Sequence, residues 1–150
     1  MNKIKDFKIE NNNGSTFSFH DYQGNNSLII LFFRGAWCNY CKKQLQEVEK
    51  NISKLNDKNI KFLALSSDTK MNSSVLKTFL KLSFPVLSDP DFTIINDYKL
   101  KVTYKDKDVS KPAIFIYNQQ HEEVFQIIGE NYEDRLSAEA LLETINNLNL

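Results

Sequence analysis

Hydrophobic positions along this chain change period several times, and each change marks an element. Phe7-Lys-Ile9 and Phe17-Ser-Phe19 alternate apolar with polar on either side of Asn11-Asn-Asn-Gly-Ser15. A period of two is the strand signature, and Asn and Gly accept the positive φ of a tight turn, so a β-hairpin is predicted here. Leu28 to Phe33 is continuously apolar and rich in Ile and Phe, which reads as a strand buried on both faces. The period then lengthens. Cys41, Leu45, Val48, Ile52 and Leu55 recur at steps of four, three, four and three, which is one face of one helix. Lys42, Lys43, Gln44, Gln46, Glu47, Glu49 and Lys50 fill its solvent face. Ile60 to Leu65 reads as a second buried strand that ends at Ser66-Ser-Asp68, and Val75, Leu76, Phe79 and Leu80 mark a second helix that stops before Pro85. Pro112-Ala-Ile-Phe-Ile-Tyr117 and Val124-Phe-Gln-Ile-Ile128 are strands joined by a short polar loop, hence an antiparallel hairpin. In the last helix Ser137 is the cap, Leu136 and Leu141 form a hydrophobic staple, and Leu141, Leu142, Ile145 and Leu148 supply the buried stripe.

The order is therefore hairpin, strand, helix, strand, helix, hairpin, helix. A βαβ unit demands parallel strands with a right-handed crossover, and the later hairpin adds antiparallel ones. The expected fold class is α/β, a mixed central sheet with helices on both faces and an N-terminal hairpin. At 150 residues, with neither an internal repeat nor a linker-like stretch, the chain reads as one domain over 1–150. Lys plus Arg and Asp plus Glu are both 19, so the formal net charge is zero, and no basic stripe is visible. Nucleic acid is thereby an improbable partner. Lys105-Asp-Lys-Asp108 alternates in sign and reads as a solvated loop. The first residues are polar rather than a signal-peptide core, and no apolar run is long enough to cross a bilayer. The expected location is the cytoplasm, with no membrane partner. Thiols stay mostly reduced there, and structural disulfides are rare.

That address sharpens the one motif that carries chemistry. Cys38-Asn-Tyr-Cys41 sits where a buried strand hands over to a helix. With Cys38 as N-cap and Cys41 as third helical residue, first-turn N–H groups point at the Cys38 sulfur, and the positive helix end favours a thiolate. The thiolate is the attacking species in thiol chemistry, and Cys41 lies close enough to close a disulfide. Three duller readings compete: two core cysteines, a structural disulfide, and a metal site. Zinc takes about four ligands, and only His20 and His121 could join the pair, at no zinc-finger spacing. Both His fall in apparent turns and read as surface residues. Trp37 is either an ordinary core Trp or a flat surface for substrates. Arg34, Lys42 and Lys43 would raise the local positive potential, although the two Lys read more simply as solvated. No cofactor is expected, because the sulfurs themselves carry the electrons.

At Arg34-Gly-Ala-Trp-Cys-Asn-Tyr-Cys41 the chain resembles peroxiredoxin-like proteins of the alkyl hydroperoxide reductase/thiol-specific antioxidant (AhpC/TSA) family of the thioredoxin superfamily. The N-terminal hairpin, the strand before the Cys pair, Ser66-Ser-Asp68, the Pro112 strand and Gly129-Glu-Asn-Tyr-Glu-Asp-Arg135 follow in the order this family shows. The resemblance implies a thioredoxin-like three-layer sandwich. It also implies that Pro112 is the family's cis-proline, placed beside the cysteines to help hold a substrate chain; a trans proline opening an edge strand is the alternative. Peroxidatic sites of that family read Thr-x-x-Cys with an Arg from a distant strand. Aligned so, Cys41 takes the peroxidatic position, Cys38 replaces the Thr, and Pro112 falls where the Arg would be. Arg135 would substitute only if its loop folds back.

Two orders of attack follow. In thioredoxin-like chemistry Cys38 attacks and Cys41 resolves. In peroxiredoxin-like chemistry Cys41 becomes a sulfenic acid and Cys38 condenses with it. The leading expectation is a thiol–disulfide oxidoreductase that cycles a Cys38–Cys41 dithiol. The alternatives are a thiol peroxidase acting on hydrogen peroxide or organic hydroperoxides, and a non-catalytic interaction module. The implied partners are a protein disulfide or peroxide and a thiol reductant such as thioredoxin or glutathione. Many members of the family associate through edge strands or loops, which leaves a homodimer open.

Overall fold

In the computed structural model, residues 2–10, 14–131 and 135–150 are described. The N-terminal hairpin forms as expected, with β1 (Lys8–Glu10) antiparallel to β2 (Thr16–Ser18). Residues 11–13 of its turn lie outside the described residues. Ser18 then caps α1 (Phe19–Gln23), accepting the Asp21 N–H through its hydroxyl. Next comes β3 (Ser27–Phe32), every residue of which is buried.

The long helix expected after β3 is broken. It forms as α2 (Asn39–Lys50) and α3 (Ile52–Asp57). Between them Asn51 sits at φ −112°, ψ 9°, and its side-chain amide donates to the Glu47 carbonyl at 2.8 Å. A short amide side chain that bonds nearby backbone competes with the helical ladder, so the hydrophobic period runs on while the helix does not. The chain continues through β4 (Ile60–Ser66), α4 (Lys70–Leu80), β5 (Val86–Ser88) and α5 (Thr93–Asp97). The segment read as a solvated loop belongs to a second hairpin, β6 (Lys101–Tyr104) and β7 (Lys107–Ser110). Lys105 and Asp106 alone turn it, both at positive φ as a two-residue type I′ turn requires. The last elements are β8 (Ala113–Tyr117), β9 (Glu123–Ile128) and α6 (Ala138–Leu148).

The main sheet has the order β5-β4-β3-β8-β9. β3, β4 and β5 run parallel, β8 is antiparallel to β3, and β9 is antiparallel to β8. Successive β3 side chains alternate between two cores, as the pleat dictates. Ile29 and Leu31 pack with Leu45, Val48, Leu76, Leu141 and Ile145 of the helices on one face. Leu28, Ile30 and Phe32 pack with Phe19, Ile94 and Ile95 on the other. The result is a three-layer α/β sandwich with β3 at its centre.

Within α4 only part of the apolar set faces inward. Leu76 is buried, whereas Val75 and Phe79 are exposed along with Met71. The four apolar residues that mark this helix thus span two faces, and the inward one is completed by Ser73, whose hydroxyl takes a 2.6 Å hydrogen bond from Ser88.

Candidate active site

β3 ends at Phe32, and the chain crosses the edge of the sheet through Phe33-Arg-Gly-Ala-Trp before entering α2 at Cys38. Two devices hold that crossing. The Asp68 carboxylate accepts the Ala36 N–H at 2.8 Å and the Ser66 hydroxyl at 2.7 Å, so the Ser66-Ser-Asp68 end of β4 fastens the loop. Gly35 lets the Trp37 indole close down on the backbone, since a Cβ there would lie 2.3 Å from Nε1. The Cys38 N–H donates to the Gly35 carbonyl at 3.1 Å, which turns the chain into the helix.

Cys38 is the N-cap of α2, and its sulfur accepts the Cys41 N–H at 3.4 Å. Both cysteines are free thiols and both are buried, 4% and 1% exposed. The two differ sharply in acidity. The Cys38 thiol is pushed down to about 5, because Cys41 donates to its sulfur through side chain and backbone and Arg135 and Arg34 add positive charge, against a smaller opposing effect of burial. The Cys41 thiol is pushed up, first because it is the donor in that shared bond and then by burial. The shared bond lowers the first ionisation of the pair and biases its charge toward Cys38.

Arg34 is buried at the other side of Cys38, with Nη1 3.9 Å from the sulfur. Its guanidinium lies 4.0 Å from the Tyr104 ring centroid and 4.8 Å from that of Trp37. Trp37 is 42% exposed and stacks on Tyr104 with ring planes 11° apart. The β6–β7 hairpin thus supplies a wall of the site from its tip. Lys42 is half-buried and Lys43 exposed.

Arg135 does fold back. From the segment before α6 its Nη2 donates to Cys41 Sγ at 2.9 Å and to Cys38 Sγ at 3.5 Å. Its Nε and Nη1 are buried with no hydrogen-bond partner among the described residues. Two contacts fasten this segment to the body: the Ser137 hydroxyl accepts the Ala140 N–H, and Gln44 of α2 donates to the Leu136 carbonyl at 3.3 Å. Gln44 is accordingly buried rather than on the solvent face where its polarity put it.

Pro112 corrects an expectation. No peptide bond among the described residues is cis. Pro112 stands immediately before β8, which lies inside the sheet rather than at its edge, and its carbonyl accepts the Gly129 N–H at 2.8 Å. A proline that precedes the ladder withholds no N–H that the sheet needs, so the ordinary trans isomer suffices. His20 and His121 are not simple surface residues either. Both are half-buried, with ring centroids 5.0 Å apart, and each Nε2 donates to a backbone carbonyl, of Ile4 and of Gly24. They stand apart from the cysteines. Among the described residues no group of three or more His, Cys, Asp or Glu is arranged to hold a metal, and no helix is long and apolar enough to cross a membrane.

A profile of the AhpC/TSA family matches residues 1–123. The chain is 26% identical over 133 residues to thiol-disulfide oxidoreductase ResA of Bacillus cereus, spanning 87% of this chain and 70% of that protein. Its fold is that of peroxidoxin BcpB from Mycobacterium tuberculosis, with a TM-score of 0.82 at 15% identity over 98% of this chain and 93% of the other. Peroxiredoxin 6 of Arenicola marina, solved as a cysteine-to-serine mutant, superposes with a TM-score of 0.86 at 17% identity, over 99% of this chain and 72% of the other.

Proposed function

Because the chain belongs to the AhpC/TSA family, we propose that it is an oxidoreductase that exchanges disulfides through a Cys38–Cys41 dithiol. The observation that carries this reading is the thiolate bias toward Cys38, the helix-capping sulfur flanked by two guanidinium groups. Cys38 attacks a disulfide, one thiol of the substrate leaves, and a mixed disulfide forms on Cys38. Cys41 then gives up its proton, attacks Cys38, and releases the second thiol. Arg135 touches both sulfurs and stabilises the negative charge as it passes from one to the other. A reducing partner such as thioredoxin or glutathione resets the pair, and a thiol-reducing compartment, the cytoplasm, suits that cycle.

A second reading rests on the remaining donors of Arg135. Nε and Nη1, on the same guanidinium whose Nη2 reaches Cys41, are buried with no hydrogen-bond partner among the described residues, and a peroxide oxygen would accept from them. In that reading Cys41 attacks the O–O bond, an alcohol or water leaves, and Cys38 condenses with the sulfenic acid to give the same disulfide and water. One experiment separates the two. The reduced protein and its Cys38→Ser and Cys41→Ser variants are mixed in turn with a protein disulfide and with hydrogen peroxide, and adducts are located by mass spectrometry. Disulfide exchange gives a stable mixed disulfide on Cys38 of Cys41→Ser, with peroxide oxidation no faster than that of free cysteine. Rapid sulfenate formation on Cys41 of Cys38→Ser would replace this with the peroxidase reading.

A further inference from the structure

A cavity of about 230 Å³ lies between the β6–β7 hairpin and the start of β8, linked to the cysteines through Arg34 in its wall. Its walls include Arg34, Tyr104, Val109, Lys111, Pro112 and Glu130. Three features of this space set what fits it. Arg34 faces it while holding Nη1 3.9 Å from the Cys38 sulfur, so a group bound to this guanidinium sits a few bonds' length from the reacting atom. Lys111 and Glu130 bring opposite charges into the same wall, their side chains paired at 3.3 Å. Tyr104 and Val109 give the space an apolar flank. A cavity with two cationic groups, one carboxylate and an apolar side matches a zwitterion on a short methylene arm: the cations for a carboxylate, Glu130 for an ammonium, the flank for the methylene.

Size and access point the same way. The cavity is smaller than the ~300–1,000 Å³ typical of whole drug-sized ligands, and it suits an amino-acid head. Both sulfurs are almost wholly covered, which favours a slender disulfide over one set in a broad protein surface. We infer that the cavity is the docking site for a low-molecular-weight disulfide or thiol bearing an α-amino-acid head one methylene from its sulfur, of the cystine type. This deepens the disulfide-exchange reading and rests on it. With the head seated, Cys38 attacks the nearer sulfur, the disulfide's S–S bond breaks, and the outer half leaves as a thiolate that takes up a proton. Cys41 then displaces the seated half, so one small disulfide is reduced to two thiols while the protein dithiol becomes a disulfide. In reverse, two such thiols reset the protein.

The test uses the reduced protein and follows loss of free thiol against four disulfides. Cystine carries both charges, N,N′-diacetylcystine only the carboxylate, cystamine only the ammonium, and bis(2-hydroxyethyl) disulfide neither. The expected result is oxidation by cystine about tenfold or more faster than by either singly charged analogue, after correction for the leaving thiol with free cysteine as reference. Glu130→Gln and, separately, Lys111→Gln are expected to lower the ratio of the cystine rate to the bis(2-hydroxyethyl) disulfide rate by a similar factor. Equal corrected rates for all four, with reaction well above free cysteine, would overturn the docking site and leave disulfide exchange standing. No reaction above free cysteine with any of them would overturn both.

Discussion

A guanidinium that touches both sulfurs is the residue on which the chemistry of this site turns. Arg135 donates to Cys41 at 2.9 Å and to Cys38 at 3.5 Å, and so lowers the energy of whichever sulfur holds the charge. An opposite charge at such range depresses an acidic group by about 1–3 pH units. Replacing Arg135 by Met, which keeps an apolar stem, is expected to raise the Cys38 thiol by about one to two pH units from its value of about 5. The ultraviolet absorbance of the thiolate, titrated against pH, reads this directly, and an unmoved midpoint would assign the acidity to the hydrogen bonds from Cys41 and to Arg34. The cysteines themselves were legible in the sequence, because a strand-to-helix junction and a three-residue step fix their geometry locally. Arg135 was not. It lies 94 residues from Cys41, no period links the two, and tertiary contacts such as the hydrogen bond from Gln44 to the Leu136 carbonyl and the packing of Leu136 on the core bring its segment across. Gln44 itself was hidden because a buried amide that satisfies a distant carbonyl looks, in sequence, like any polar surface residue.

Elements whose apolar face meets the sheet were readable, and those fixed by tertiary partners were not. β3, β4, β8, β9 and α6 declare themselves through period, capping and the staple, and all five lie where expected. α1, β5 and α5 are too short to show a period. The N-terminal turn of α5 is held by the Asp89 carboxylate, which accepts the N–H groups of Ile94 and Ile95. The β6–β7 hairpin was masked by alternating charges, since a two-stranded ribbon with one exposed face tolerates them. α4 shows the same limit within one helix: its apolar residues set the period but not which of them the sheet covers. Leu76→Ala is expected to cost about 2–4 kcal/mol, the range for a buried leucine that leaves a cavity. Phe79→Ser, at a position 77% exposed, is expected to change stability by less than about 0.5 kcal/mol. Urea unfolding of the two variants checks the contrast, and an equal cost would return Phe79 to the core.

The whole molecule couples its stability to the protonation of the pair. Unfolded, both thiols titrate at about 8.5. Folded, Cys38 is depressed to about 5 and Cys41 is raised. For Cys38 the native state binds fewer protons than the unfolded one between these values, so its contribution is complete above about pH 8.5 and is lost as pH falls toward about 5. For Cys41 the native state keeps a proton that the unfolded chain releases above about pH 8.5, so stability falls there as pH rises. The reduced protein should therefore be most stable relative to its own disulfide form at about pH 8, and lose that advantage on both sides. Asp6, Asp89 and Glu123 also titrate with shifts, Asp6 downward and the other two upward. These three lie away from the pair, whereas Tyr104, held below its usual range by its hydrogen bonds with Arg34 and Lys105, titrates on the alkaline side next to the site, so the acid limb of the difference is the part that reports the thiols. Urea midpoints of the two forms from about pH 5 to about pH 10 measure this difference, and Cys38→Ser, measured against the same oxidised wild-type protein, should show a flattened acid limb. Because a thiolate stabilised in the fold stabilises the reduced form as a whole, the same difference sets the redox poise: a stabilised dithiol makes the disulfide a stronger oxidant. A reduced form whose relative stability shows no acid limb would mean that the guanidinium groups and the helix end are balanced by burial. The site would then be a pair of ordinary thiols, and its disulfide no stronger an oxidant than one between unperturbed cysteines.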